Sequence, residues 1–197
     1  MVNINLASAV AHPAVVNAQI SNAAIIQARA VTAADLETVN QVVSDAVLAW
    51  GLPERVHRLA TPALNYHAAD LAHMSIALLS ESNGGGIGVA AWEEASRHQA
   101  PADTRAVLLH GLYVVPGYQR MGIGTRLTGL VLQWARDRGF DGVIVRAWRD
   151  ALPFFSENGF QPSANGNPAS QYPQQLWKPV RLPLHDETAM RASADAR

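Results

Sequence analysis

Between Leu108 and Thr125 the chain reads LLHGLYVVPGYQRMGIGT, and this stretch holds its most informative chemistry. A strand-like apolar run passes into Gln119-Arg120-Met121-Gly122-Ile123-Gly124, after which helical spacing begins. A helix start leaves several backbone N–H groups without partners and carries about half a positive charge. Glycines let an anion approach those groups with no Cβ in the way. Arg120 and Arg126 add positive charge at the rim. The pattern suits a phosphate or diphosphate. His110 is the only titratable side chain between Ala106 and Leu112. Period-two alternation along a strand puts it on the face of Leu108 and Leu112. An imidazole there is a competent general base near neutral pH, directly or through a water. The plain structural alternative is a half-buried histidine bonded to a backbone carbonyl.

Other phosphate loops do not match. The G-x-x-x-x-G-K-[ST] pattern needs a lysine after its glycines, and the sole lysine of the chain is Lys178. A dinucleotide fingerprint needs a third glycine where Leu127 stands. The absence of cysteine removes thiol nucleophiles, Cys-ligated metals and disulfides. The seven histidines show no His-x-x-x-His or His-Glu-x-x-His spacing, so no metal is expected. With 15 Lys+Arg against 16 Asp+Glu in 197 residues, there is no field to draw the protein onto nucleic acid or an anionic membrane. No apolar run approaches the ~20 residues of a membrane span. The first 24 residues lack Lys and Arg, so they read as a weakly structured leader and not as a signal peptide. A soluble cytoplasmic protein is the expectation.

Alternating strand and helix patterns must position the loop. Ile25–Ala30 reads as a strand, and Thr32 with Asp35 as an acidic capping box. Leu36, Val39, Val43, Val47 and Trp50 then draw one apolar stripe down a helix that Gly51 stops. Pro53 opens a further helix, and a short helical piece begins at Thr61–Pro62. Met74–Leu79 and Ile87–Trp92 form a hairpin through Asn83-Gly84-Gly85-Gly86. Glu94–Thr104 is a polar loop, and Ala106–Val115 is the longest strand. The helix after Gly124 carries Leu127, Leu130, Val131 and Trp134 on one side and closes at Gly139. Val143–Trp148 is a strand, Asp150 caps a helix over Ala151–Asn158, and Leu176–Val180 is the last strand-like piece. The sum is an α+β fold around a mixed, mostly antiparallel sheet flanked by helices.

Gln119-Arg120-Met121-Gly122-Ile123-Gly124 resembles the Q/R-x-x-G-x-G/A signature of the GNAT superfamily of N-acetyltransferases, at the same strand-to-helix junction. Ala151–Phe160, ALPFFSENGF, resembles its second signature, A-x-x-F-Y-x-x-x-G-F. The order of elements is similar as well, and the resemblance covers roughly residues 25–183, leaving a polar tail over 184–197. It implies an acyltransferase that uses acetyl-CoA to acetylate a primary amine. The backbone of Leu112, Tyr113 and Val114 would pair with the pantetheine arm. Arg120, Met121, Gly122, Ile123, Gly124 and Thr125 would cradle the diphosphate, and the Leu112 N–H would face the thioester oxygen. His110 would serve as the base. Direct attack in a ternary complex follows from the lack of a cysteine to carry an acetyl-enzyme. The acceptor would be a small-molecule or peptide amine, and dimers are common among similar proteins, which leaves a homodimer open.

The chain departs from that pattern at Phe155, where the superfamily's usual tyrosine protonates the leaving sulfur. Tyr113, Ser156 or Tyr172 could substitute, or the acid is dispensable, because a thiol of pKa about 8.5 leaves with modest help. Trp148 stands where many relatives carry an asparagine that touches CoA. Trp50, Tyr66 and Trp92 are candidates for an acceptor pocket or for the core. Glu93 and Glu94 could bind a cationic amine or simply close a solvated strand end. The rival to an enzyme is a non-catalytic CoA-binding module, or an interaction domain on a degenerate version of the fold.

Overall fold

The computed structural model describes residues 16–19, 25–51, 53–163 and 174–180. Thr32 and Asp35 build the expected capping box. Asp35 Oδ2 accepts from the Thr32 N–H and hydroxyl, each at 2.8 Å. The Arg29 guanidinium, 2.6 Å away, is the main cause that holds the Asp35 carboxyl at about 2, below its ordinary 3.8. After one 3-10 turn the chain continues as α1, Leu36–Leu48. Its stripe buries Val39, Val42, Val43, Ala46 and Val47, whereas Trp50 lies beyond the helix and is exposed. Helix α2 spans Glu54–Leu64 and runs through Pro62, so the separate piece expected at Thr61–Pro62 does not form. A proline in the last turn removes a single ladder bond, which does not end a helix that stops two residues later.

Among the described residues eight strands form one sheet: β1 Val16–Gln19, β2 Ile25–Ala30, β3 Ser75–Ser80, β4 Gly86–Glu94, β5 Ala106–Val114, β6 Gly142–Ala147, β7 Gln161–Pro162 and β8 Gln174–Pro179. Their order is β1-β2-β3-β4-β5-β6-β8-β7. Every neighbouring pair is antiparallel except β5 with β6. The expected leader thus contains a strand, since β1 pairs with β2; the other residues before Ile25 and the tail over 184–197 lie outside the described residues.

Helices cover both faces. Helix α1 packs with Ile76, Leu78, Val89 and Tyr113 on one side. On the other, α3 (Ile123–Asp137) and α4 (Leu152–Glu157) cover Leu79, Ala90, Val107 and Val145. Leu127 and Val131 are buried as their spacing predicts, with Leu130 and Trp134 packed partly beside them. Asp150 does not cap α4. It sits inside a 3-10 turn, Arg149–Ala151, that begins after Trp148. Among the described residues no helix is long and apolar enough to cross a membrane.

Candidate functional site

The site sits where the parallel pairing of β5 with β6 ends. β6 pairs with β5 only from Ala106 to Leu109, and no described residue of β6 accompanies β5 further. On the other edge β4 stays paired up to Val114. The Val115 N–H donates to Ile87 O at 3.1 Å on the β4 side. Backbone groups of an antiparallel strand alternate in direction. Leu112 and Val114 therefore turn their N–H and C=O groups toward the edge that β6 has left, and Tyr113 turns its own toward β4. The Gln119 side-chain amide already donates to Val114 O at 3.2 Å.

Register slips next to this opening. Ala91 pairs with Gly111 but Trp92 with Leu109, so His110 is the extra residue of a β-bulge. Val107 and Leu109 pack beneath α3, and so do Leu112 and Val114. The side-chain parity thus flips across the bulge, and His110 does not share a face with Leu112 as uninterrupted alternation would require. Leu108 lies in a separate cluster with Ile144.

His110 is bonded to a carboxylate: its Nε2 lies 2.7 Å from Glu93 Oε1, and the other Glu93 oxygen lies 3.8 Å from His73 Nε2. A carboxylate accepts only, so Nε2 carries the proton of the neutral ring and Nδ1 keeps the lone pair. Glu93 is therefore engaged by the imidazole and is not a bare strand end. Glu94 pairs with Arg105 at 3.3 Å, away from this group.

Beside His110 opens a cavity of about 220 Å³, walled also by Leu64, Asn65, Tyr66, Asp70 and Tyr113. Asn40 of α1 anchors its rim, donating to Tyr66 O at 2.9 Å and accepting from the Tyr66 N–H at 2.8 Å. Burial, with a hydrogen bond to Tyr113, pushes the Tyr66 hydroxyl far above its ordinary range. Gly111 makes room for that hydroxyl, which a Cβ at this position would strike. Trp50 stacks over Tyr113 at 6.4 Å. Trp92, in contrast, is fully buried edge-on to Trp134 and belongs to the core.

The glycine turn follows directly. Gly122 caps α3 at φ +79°, and no atom of the described residues lies within 4 Å of where its Cβ would stand. Arg120 adopts φ +61°, a conformation that costs a non-glycine residue about 1 kcal/mol or more. Ile123 is buried and anchors the turn, while Met121 and Thr125 are exposed. The first ladder bond of α3 is Arg126 N–H to Gly122 O at 2.9 Å. The N–H groups before it thus have no helical acceptor. Gly124 packs on Phe154, whose ring would lie 3.0 Å from a Cβ there. That contact joins the two sequence signatures. Phe155 is buried edge-on to both Phe154 and Phe160. Ser156 is exposed, and Tyr172 lies outside the described residues. Trp148, at the end of β6, is 53% exposed.

Residues 81–160, which hold both signatures, match the acetyltransferase (GNAT) family. Over these residues the match bears out the resemblance read from the sequence. Its fold is shared with solved structures. A PaiA N-acetyltransferase from Thermoplasma acidophilum in complex with coenzyme A aligns at a TM-score of 0.64 and 15% identity, over 78% of this chain and 98% of that one. A GNAT-family acetyltransferase from Brucella melitensis in complex with acetyl-CoA aligns at 0.57 and 17%, over 80% and 89%. The aminoglycoside N-acetyltransferase AAC(6')-Iy in complex with CoA aligns at 0.53 and 16%, over 74% and 93%. At these identities the likeness is one of fold. No curated protein matches the sequence.

Proposed function

We propose that this protein transfers the acetyl group of acetyl-CoA to a primary amine by direct attack in a ternary complex. One observation carries the reading: the strand edge at Leu112 and Val114, which β6 has vacated, runs within ten residues into the glycine-capped start of α3. An extended pantetheine arm can add to that edge as a strand would. The N–H groups of the turn over Arg120–Thr125, with the α3 dipole behind them, suit its diphosphate. Three solved structures of this fold hold CoA or acetyl-CoA, which supports CoA as the carrier of the acetyl group.

Leu112, rather than Tyr113, then offers an N–H to the thioester oxygen, where charge develops during attack. His110 takes a proton from the ammonium through Nδ1, while Glu93 holds the opposite nitrogen. A C–N bond forms and the C–S bond breaks. The sulfur departs as thiolate and takes up, through water, the second proton that the acylated nitrogen sheds, because Phe155 has no proton to give. The absent hydroxyl at Phe155 favours a second reading, a module that binds CoA without turnover.

Thermal melting with CoA and acetyl-CoA, followed by thiol release with a panel of amines, separates these readings. The enzyme reading expects a raised midpoint and thiol release that depends on the amine. A raised midpoint without release supports the binding module, and no shift overturns both.

A further inference from the structure

We infer that the acceptor is a short aliphatic amine carrying a second protonated nitrogen, selected by Asp70 and Asn65; this rests on the acetyltransferase reading above. At about 220 Å³ the cavity is smaller than the ~300–1,000 Å³ of sites for drug-sized molecules, so the part of the acceptor that it encloses is compact. Leu64 and Met74 give it an apolar wall on which methylene groups can lie. Its polar wall is one-sided. Asn65 Oδ1 is buried with no hydrogen-bond partner among the described residues. Asp70 uses one carboxylate oxygen to accept from the His67 N–H at 2.7 Å, which leaves its second oxygen for a ligand. The Tyr66 hydroxyl is committed to Tyr113. Among the described residues no lysine or arginine lines the space.

Such a cavity offers acceptors and negative charge. A ligand carboxylate entering it would meet Asp70 with nothing to compensate, and is excluded by repulsion and lost solvation. A hydroxyl would satisfy Asn65 but leave the charge of Asp70 unused. A second ammonium satisfies both: it donates to the orphaned amide oxygen and pairs with the carboxylate. The distal nitrogen stays protonated throughout, and only the nitrogen at His110 loses a proton and gains the acetyl group.

The test compares 1,4-diaminobutane, butylamine, 4-aminobutanol and 4-aminobutanoate as acceptors for the full chain at saturating acetyl-CoA. Calorimetry of each amine with the CoA-loaded protein runs in parallel. The expected result is a kcat/KM for the diamine at least tenfold above butylamine, with 4-aminobutanoate the poorest, and the same order in binding. Asp70→Asn keeps an acceptor for the His67 N–H and is expected to bring the diamine-to-butylamine ratio to about one, through KM. Asn65→Ala is expected to lower that ratio several-fold. Equal use of butylamine and the diamine, or a preference for the carboxylate, overturns the inference while leaving acetyl transfer intact. Binding of CoA without turnover still decides it, since calorimetry must then rank the diamine first. Failure to bind CoA at all overturns the acetyltransferase reading, and this inference with it.

Discussion

Glu93 Oε1 and His110 Nε2 stand 2.7 Å apart across the two strands whose register slips between them. The bulge adds one residue to β5, and that residue is the histidine. With the ring held at one nitrogen, the other is the only atom left to take a proton from a nucleophile. Substituting His110→Ala is expected to lower kcat about 10²-fold or more, the usual weight of a general base. Glu93→Gln should cost about tenfold, and the double variant should be no slower than His110→Ala alone. Additive losses in that cycle would show that Glu93 acts independently of the imidazole.

Gly122 combines a positive φ with open space where its Cβ would project. Gly51 has φ +65° and equally open surroundings at the end of α1, so it supplies a matched control. Alanine at either position is expected to cost about 1 kcal/mol of stability. Only Gly122→Ala should also weaken CoA binding, by about tenfold in a calorimetric titration. Equal CoA affinity in the two variants would place the diphosphate elsewhere.

Phe155 is 5% exposed and packed edge-on between two rings. A hydroxyl added there enters an apolar site and costs stability unless it finds a partner. A thiolate leaves without much assistance. Phe155→Tyr is therefore expected to lower the melting midpoint by a few degrees and to change kcat by less than about threefold. A tenfold rise in thiol release would show that sulfur departure waits on a proton.

Asp35 supplies a pH-dependent share of stability. Its carboxyl titrates at about 2 in the folded chain, below the ordinary 3.8, chiefly because of Arg29. A depressed folded value means that the stabilisation is complete above the unfolded value and is lost as pH falls toward 2. Asp35→Asn should cost about 1 kcal/mol at pH 7, the usual weight of a helix cap. The gap should narrow below about pH 4 and close as pH passes through about 2, as followed by urea denaturation across that range. A gap as large at pH 2 as at pH 7 would contradict the assignment.

The helical stripe of Val39, Val43 and Val47 and the glycine-capped start of α3 were legible because each is written in local spacing. The bulge was not. A one-residue slip between strands leaves no mark in composition, so uninterrupted alternation put His110 on the face of Leu112, and Glu93 passed as a strand end. A signal was present in the adjacent hairpin, where an acid closes β4 opposite the lone titratable residue of β5. Trp92 was ambiguous for another reason: an aromatic at a strand end suits a pocket or a core equally, and only the placement of Trp134 over it decides. The cavity beside His110 draws Asn65 and Asp70 from the segment after α2, which carries no periodic pattern at all.

The grip of the turn before Arg126 on a diphosphate is tested most directly by a crystal of the full chain soaked with CoA. The account predicts diphosphate oxygens within about 3.2 Å of backbone nitrogens between Arg120 and Thr125, with the pantetheine arm alongside Leu112 and Val114. Ordered CoA bound elsewhere, with that turn empty, would contradict it.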